Sequence, residues 1–258
     1  MSQALLRTTG LCRKFGGITA VNEVDFSVEP GTITGLIGPN GAGKTTLFNN
    51  ITGMDVPSSG QVFFRDREIT GQPAWRICRM GIARTFQNIR LFKELTVLEN
   101  VMVGRHFKTG GNRLAAAALS LVGAGRDQKA IVASAMQWLE FLNLADFAGE
   151  KARNLAYGRQ RELEIARALA TEPAVIFLDE PAAGMNAIET AELMATIHRI
   201  RDAGVTVVLI EHDMKLVMNI CSYITVLNYG SKIAEGTPQA IRGNHEVIEA
   251  YLGKDDSA

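Results

Sequence analysis

Cysteine is scarce in this chain: Cys12, Cys78 and Cys221 are the only three in 258 residues, and they form neither a CxxC nor a Cys/His cluster. That spacing excludes a disulfide framework and a zinc site, leaving reduced thiols of a cytoplasmic protein as the expectation. Neither sign of charge is in excess, with 27 Lys and Arg against 27 Asp and Glu. Binding along a nucleic-acid backbone shows as a Lys/Arg surplus, so the total argues against that class, although a local patch can hide in a neutral sum. Long hydrophobic runs are missing too: none reaches the roughly 18 residues needed to cross a bilayer. The opening MSQALLRTTG has no apolar leader core. The expectation is a chain soluble by itself that reaches any membrane through a partner. Core material is ample, at 47% hydrophobic and 21% charged residues.

Residues Thr32 to Gly43, TITGLIGPNGAG, run from a β-branched apolar stretch into a glycine-rich loop, after which Lys44-Thr45-Thr46 open an amphipathic helix. Strand, loop and helix in that order are the context in which GxxxxGK[ST] binds phosphate. Gly38, Gly41 and Gly43 let the backbone curl so that N–H groups point inward, and the helix N-terminus adds partial positive charge. The candidate nucleotide contacts are Gly38, Pro39, Asn40, Gly41, Ala42, Gly43, Lys44, Thr45 and Thr46. Lys44 supplies a point charge for β/γ-phosphates, and the Thr45 hydroxyl can take one position on Mg²⁺.

Two further strands end in chemistry. AVIFLDEP, from Ala174, is a continuous apolar run of the kind buried on both faces of a sheet, with two acids at its C-terminal tip. Asp179 there suits the Mg²⁺ shell and Glu180 the general base for an attacking water; a solvated turn is the alternative. VTVVLI, Val205 to Ile210, leads into Glu211-His212-Asp213, where a histidine can contact a γ-phosphate or lie on the surface. Gln87, in RTFQNIRLF, can ligate Mg²⁺ or the attacking water through its amide, or simply be exposed. Asn154 to Leu169, NLAYGRQRELEIARAL, is a second small-residue turn feeding a helix start. It reads as a further anion-holding element in a chain that already has a complete one.

The order GPNGAGKTT, Gln87, LAYGRQ, AVIFLDEP and His212 resembles the nucleotide-binding subunits of ABC transporters over essentially the whole chain. The resemblance implies an α/β fold: a P-loop NTPase ABC-type nucleotide-binding domain with an antiparallel β layer and an inserted helical subdomain. The β layer is expected from the first thirty residues and Gln61 to Arg65, the subdomain from about 88–153, and a C-terminal tail from about 236–258. It implies ATP and Mg²⁺ as cofactors, with Glu180, His212 and Gln87 catalytic and Thr45, Gln87 and Asp179 around the metal. Phe15, in RKFGG, takes the place of the adenine-stacking aromatic, with a core phenylalanine as the alternative. Leu155, Ala156, Tyr157, Gly158, Arg159 and Gln160 match the signature motif. In the family that motif caps the γ-phosphate held by a second subunit packed head to tail, which accounts for the second helix start. The match departs at Ala156, where the family has serine, at Tyr157, where it has glycine, and at Asn186, where it has a D-loop aspartate.

RTFQNIRLF, DEPAAGMN, IEHDMKLVM and GTPQAIRGNHEVIEAYLG are similar to the larger ATP-binding subunit, the LivG type, of branched-chain amino acid importers. The partners this implies are a second ATP-binding subunit, transmembrane permeases and, indirectly, a substrate-binding protein, at the cytoplasmic face of the membrane. Urea and short-amide importers and lipopolysaccharide exporters use similar subunits. A soluble ABC ATPase of DNA repair or translation is the rival of another class, and it normally carries two cassettes or a long coiled-coil insertion. Elsewhere, Thr96 with Glu99 reads as a helix start, and residues 106–128 as an Ala/Gly-rich surface elaboration. Met214 and Met218 read as core packing four residues apart on one helix. Arg76, Arg79, Arg84 and Arg90 read as a solvated or permease-facing surface.

Overall fold

Glycines at Gly16 and Gly17 turn the chain between two long strands, Leu6–Phe15 (β1) and Ile18–Val24 (β2), Gly16 at φ +57. The computed structural model describes residues 4–109 and 124–252. They fall into two compact units, one formed by Met1–Ile77 with Ala174–Ala258 and the other by Cys78–Pro173. In the first unit, Ser27–Val28 (β3) also pairs with β1. After Ile33–Ile37 (β4) and Lys44–Ile51 (α1), Ser59–Phe64 (β5) and Arg67–Glu68 (β6) complete an antiparallel sheet in the order β2-β1-β5-β6. This is the expected β layer, and Leu6, Leu11, Val62 and Phe64 form its buried side.

Ala74–Met80 (α2) leads into the second unit, whose described elements are helices and the short strand Ile82–Arg84 (β7). Val97–Thr109 (α3) packs against Ala124–Phe141 (α4) and Tyr157–Leu169 (α5). The start of α3 is the expected Thr96–Glu99 pair: the Glu99 N–H donates to the Thr96 hydroxyl oxygen at 3.1 Å, and the Glu99 carboxylate accepts from the Thr96 N–H at 2.7 Å. That reciprocal arrangement satisfies two otherwise orphaned helix-end groups. The expected subdomain of 88–153 lies within this unit, which also takes in α5. Of the surface elaboration read at 106–128, residues 110–123 lie outside the described residues.

The rest of the first unit is α/β: Val175–Asp179 (β8), Ala187–Asp202 (α6), Thr206–Ile210 (β9), Met214–Ile220 (α7), Tyr223–Asn228 (β10), Ser231–Gly236 (β11), Pro238–Arg242 (α8) and His245–Leu252 (α9). Its second sheet runs β11-β10-β4-β9-β8, parallel from β10 to β8, with β11 antiparallel at the edge. Every residue of β4, β8 and β9 is buried, as their unbroken apolar sequences require. Phe48 of α1 meets Phe177 of β8 edge-on at 4.8 Å between ring centroids, fixing the helix to the sheet.

The core-packing reading of Met214 and Met218 needs correction. The core face of α7 is Leu216, Val217 and Ile220, whereas both methionines are half-buried. They line a hollow of about 540 Å³ with Ile241, Val247 and Tyr251. At 3.6 residues per turn, Met214 and Met218 lie on a side of the helix turned away from Leu216, Val217 and Ile220. On α9, burial pushes the Tyr251 phenol up, opposed by the nearby Gly38 backbone.

Helix starts in the first unit are mostly closed by side chains. Asn186 caps α6, accepting from the Ile188 and Glu189 N–H groups at 2.9 and 3.0 Å, while the Glu189 carboxylate accepts from the Asn186 N–H at 2.9 Å. Asp213 caps α7, and Thr237 caps α8 ahead of Pro238. The amide at Asn186 is therefore committed to its own helix. Asn186→Ala should lower stability by about 1 kcal/mol, read as a shift of the denaturant midpoint at unchanged slope; an unchanged midpoint would remove the cap's assigned role.

Candidate nucleotide site

Close backbone approach dictates the glycines of the phosphate loop. At Gly38, with φ +148, an added Cβ would lie 2.1 Å from the Leu227 carbonyl oxygen. At Gly43, with φ +97, it would lie 2.2 Å from the Ala20 carbonyl oxygen. Gly43 is also the N-cap of α1 and offers no side chain to it, so the first N–H groups of the helix are left for an anion. Lys44 is buried, and its ammonium donates to the Gly38 and Pro39 carbonyl oxygens at 2.7 and 2.8 Å. Burial pushes its pKa down, against the attraction of Glu180 and Asp179. Thr45 is exposed and Thr46 half-buried on the first turn.

Because β4, β9 and β8 are neighbours in parallel register, the chain segments that follow them emerge side by side. Asp179 ends β8, 2% exposed. Glu180 follows in the left-handed region at φ +48, and its N–H donates to the Ile210 carbonyl at 3.0 Å. A non-glycine residue there is strained. The turn carries the Glu180 carboxylate to the imidazole beyond β9, with His212 Nε2 2.6 Å from Glu180 Oε1. A carboxylate only accepts, so as a carboxylate Glu180 takes the hydrogen carried by Nε2. Glu211 braces the pair from below: 4% exposed, it accepts from the Ala182 N–H at 2.8 Å and the His212 N–H at 3.1 Å. Burial pushes the Glu211 carboxyl up, and those N–H groups pull it back.

Phe15 ends β1, 47% exposed with the Arg13 guanidinium 4.3 Å from its ring centroid, so the core alternative does not hold. Gln87 and the signature residues belong to the second unit. Gln87 is exposed in the loop after β7. Its neighbour Phe86 has the Arg84 and Arg90 guanidinium groups 5.3 and 4.1 Å from the ring centroid; Arg84 is half-buried, and Arg90 is exposed as the surface reading expected. In the signature, Leu155 is buried, and the Gln160 amide donates to the Leu155 carbonyl at 2.8 Å, closing the turn. Ala156 is the N-cap of α5 and, like Gly43, gives no side-chain cap. Tyr157 and Ala156 are exposed, Gly158 is half-buried, and Arg159 pairs with Glu162 at 2.9 Å.

The structure thus brings together the phosphate loop, Asp179, Glu180 and His212. Sequence reading missed Glu211 and, in the second unit, Arg161 and Glu164. Arg161 is fully buried and donates to the carbonyl oxygens of Phe86 and Gln87. A charged pair three residues apart on the apolar stripe of α5 was the signal available. Among the described residues no group of three or more His, Cys, Asp or Glu is placed to hold a metal ion. A hydroxyl at Thr45 and a carboxylate at Asp179 are instead the sparse, hard oxygen set that suits Mg²⁺, which takes its other ligands from phosphate and water.

The family model described as ABC transporter matches residues 21–183. The chain belongs to the ABC transporter family. A second model, the branched-chain amino acid ATP-binding cassette transporter, matches residues 231–257 of this cassette. The cassette is 48% identical to the high-affinity branched-chain amino acid transport ATP-binding protein BraF of Pseudomonas aeruginosa, over 98% of this chain and all of that one. It is 49% identical to the corresponding LivG protein of Escherichia coli K12 at the same coverage. Among solved structures, a nucleotide-free ATP-binding cassette from an ABC transporter is 32% identical with a TM-score of 0.85, covering 98% of this chain and all of that one. The cassette binds nucleotide as an ABC-type ATPase domain.

Gly43→Ala should abolish measurable nucleotide binding, because its Cβ meets backbone. Gly41→Ala, at φ +78 with nothing within 4 Å, should cost only the strain of about 1 kcal/mol. A nucleotide titration in which both variants bind as wild type would contradict the loop geometry.

Proposed function

We propose that this cassette hydrolyses ATP to drive import of branched-chain amino acids through an ABC transporter. The contact between Glu180 and His212 carries the hydrolytic part, and the match of residues 231–257 together with the BraF and LivG likeness supports the solute. In this reading Phe15 stacks on adenine, Gly38 to Thr46 cradle the phosphates, and Lys44 exchanges its loop carbonyls for β/γ-phosphate oxygens. Thr45 and Asp179 would hold Mg²⁺, and Gln87 keeps the metal-ligand role that the family resemblance implies. When bound, the cation neutralises charge on the phosphates. Glu180 accepts a proton from the water aligned on the γ-phosphate. The Nε2–H of His212, which Glu180 accepts, also reaches for a γ-phosphate oxygen; the two acceptors compete, and the phosphate releases the carboxylate for the water.

Leu155 to Gln160 meet the nucleotide of a second ATP-binding subunit, a copy of this chain or a sister, in a head-to-tail dimer. There the uncapped N–H groups of α5 face the γ-phosphate in place of a serine hydroxyl. No described helix is long and apolar enough to cross a membrane. By the likeness to transporter ATP-binding subunits, the cassette in this reading sits against permease subunits at the cytoplasmic face, and a substrate-binding protein selects the solute outside.

Glu180→Gln should bind ATP with near-native affinity, lose turnover by about a thousandfold, and accumulate as an ATP-bound dimer by size-exclusion chromatography. Turnover near wild type would reject the assigned base. Reconstituted with its permeases and binding protein, the cassette should hydrolyse ATP faster with leucine, isoleucine or valine; stimulation by urea or short amides alone would reassign the solute.

A further inference from the structure

The strongest polar construction in the second unit is buried and unused by the mechanism above. The guanidinium of Arg161, 0% exposed on the second turn of α5, donates to the Phe86 carbonyl at 2.6 Å, the Gln87 carbonyl at 2.9 Å and the Tyr157 hydroxyl at 3.1 Å. Its ion-pair partner Glu164, at 3.3 Å and 1% exposed, accepts from the Arg90 N–H at 3.0 Å. Burial pushes the Glu164 carboxyl up, and the Arg90 N–H with Arg161 and Arg167 pulls it back. The segment 86–90 is neither helix nor strand, so these side-chain bonds replace the ladder it lacks.

Such a pair is a costly way to hold two pieces of backbone together. Removing two charges from water costs several kcal/mol per ion, and apolar residues of similar size often stabilise as well or better. Arg161 Nε, moreover, has no hydrogen-bond partner. The fork of an arginine does one thing an apolar side chain cannot, which is to fix two successive carbonyls in one plane. The carbonyls it fixes flank the residue proposed to ligate the cation, and the third acceptor is a signature residue.

We infer that Arg161, with Glu164, is a positioning residue that locks the Gln87 loop to the start of the signature helix, so that the two move as one piece. The inference rests on the proposed roles of Gln87 and the signature. It also accounts for Tyr157, which stands where the family has glycine, because the tyrosine hydroxyl extends the lock to the first turn of α5. Engagement of the signature by the nucleotide of a second subunit is then felt at the carbonyls around Gln87 through a single guanidinium. Support of this kind behind a metal ligand is worth about ten- to a hundredfold in metal affinity or activity.

Arg161→Lys tests it, since lysine keeps Glu164 compensated but cannot span both carbonyls. The assay is ATP hydrolysis against Mg²⁺ concentration, per folded protein, beside thermal unfolding and ATP affinity. Gln87→Ala is the control. The expected result is a Mg²⁺ requirement raised about tenfold in both variants and a lowered kcat, with ATP affinity within about twofold of wild type. Glu164→Gln, which leaves Arg161 in place, should show a smaller change in the same direction. A shift in Gln87→Ala with none in Arg161→Lys overturns the lock and leaves Arg161 a stabiliser of the fold, read only as a lower Tm. No shift in Gln87→Ala overturns the metal role of Gln87, and with it the ground for the lock.

Discussion

Parallel hydrogen bonding between β4, β9 and β8 is the constraint on which the hydrolytic site depends. Register pairs Leu36 with Ile210 and Asp179 with Ile210, so one residue of β9 is flanked by the strands that deliver the phosphate loop and the acidic pair. Loops that leave adjacent strands at the same edge are neighbours whatever their sequence separation. The strained turn at Glu180 and the carboxylate of Glu211 then do the short-range work. One swings a side chain across the gap, and the other ties the Ala182 and His212 backbones to a single group. A buried acid with two N–H donors is a rigid part, because it costs free energy to lose either bond.

Helix capping sets four described helix starts apart from the phosphate-facing ones. Side chains close the starts at Thr96 in the second unit, and at Asn186, Asp213 and Thr237 in the first. The two helix starts assigned to phosphate, at Gly43 and Ala156, have no side-chain cap. A cap there would occupy the N–H groups that an anion needs. The missing serine at Ala156 costs one hydroxyl and leaves the backbone donors in place.

Much of the first unit was legible because burial on both faces leaves a plain trace. Strands β4, β8 and β9 read as unbroken apolar runs, and the glycines between β4 and α1 have no other reading that fits strand, loop and helix. The β layer was legible from position, and Thr96 from its partner three residues on. Legibility failed where a side chain serves a purpose its type does not announce. Met214 and Met218 share a helix face, yet the face that α7 turns to the core is that of Leu216, Val217 and Ile220. Asn186 stood as a departure from an acidic motif until its amide was seen to cap its own helix. Arg161, Glu164 and Glu211 were invisible for a different reason: a charge counts as surface until tertiary structure surrounds it, and only its place on an apolar stripe hinted otherwise.

The carbonyl oxygens of Leu227 on β10 and Ala20 on β2 bear on Gly38 and Gly43. They make the shape of the phosphate loop a property of both sheets of the first unit, since backbone on either side leaves it no room to relax. A shift of β2 or of β10 would therefore be read as a change in nucleotide affinity. A phosphate site built near the start of the chain in this way depends on a strand that the chain supplies far later.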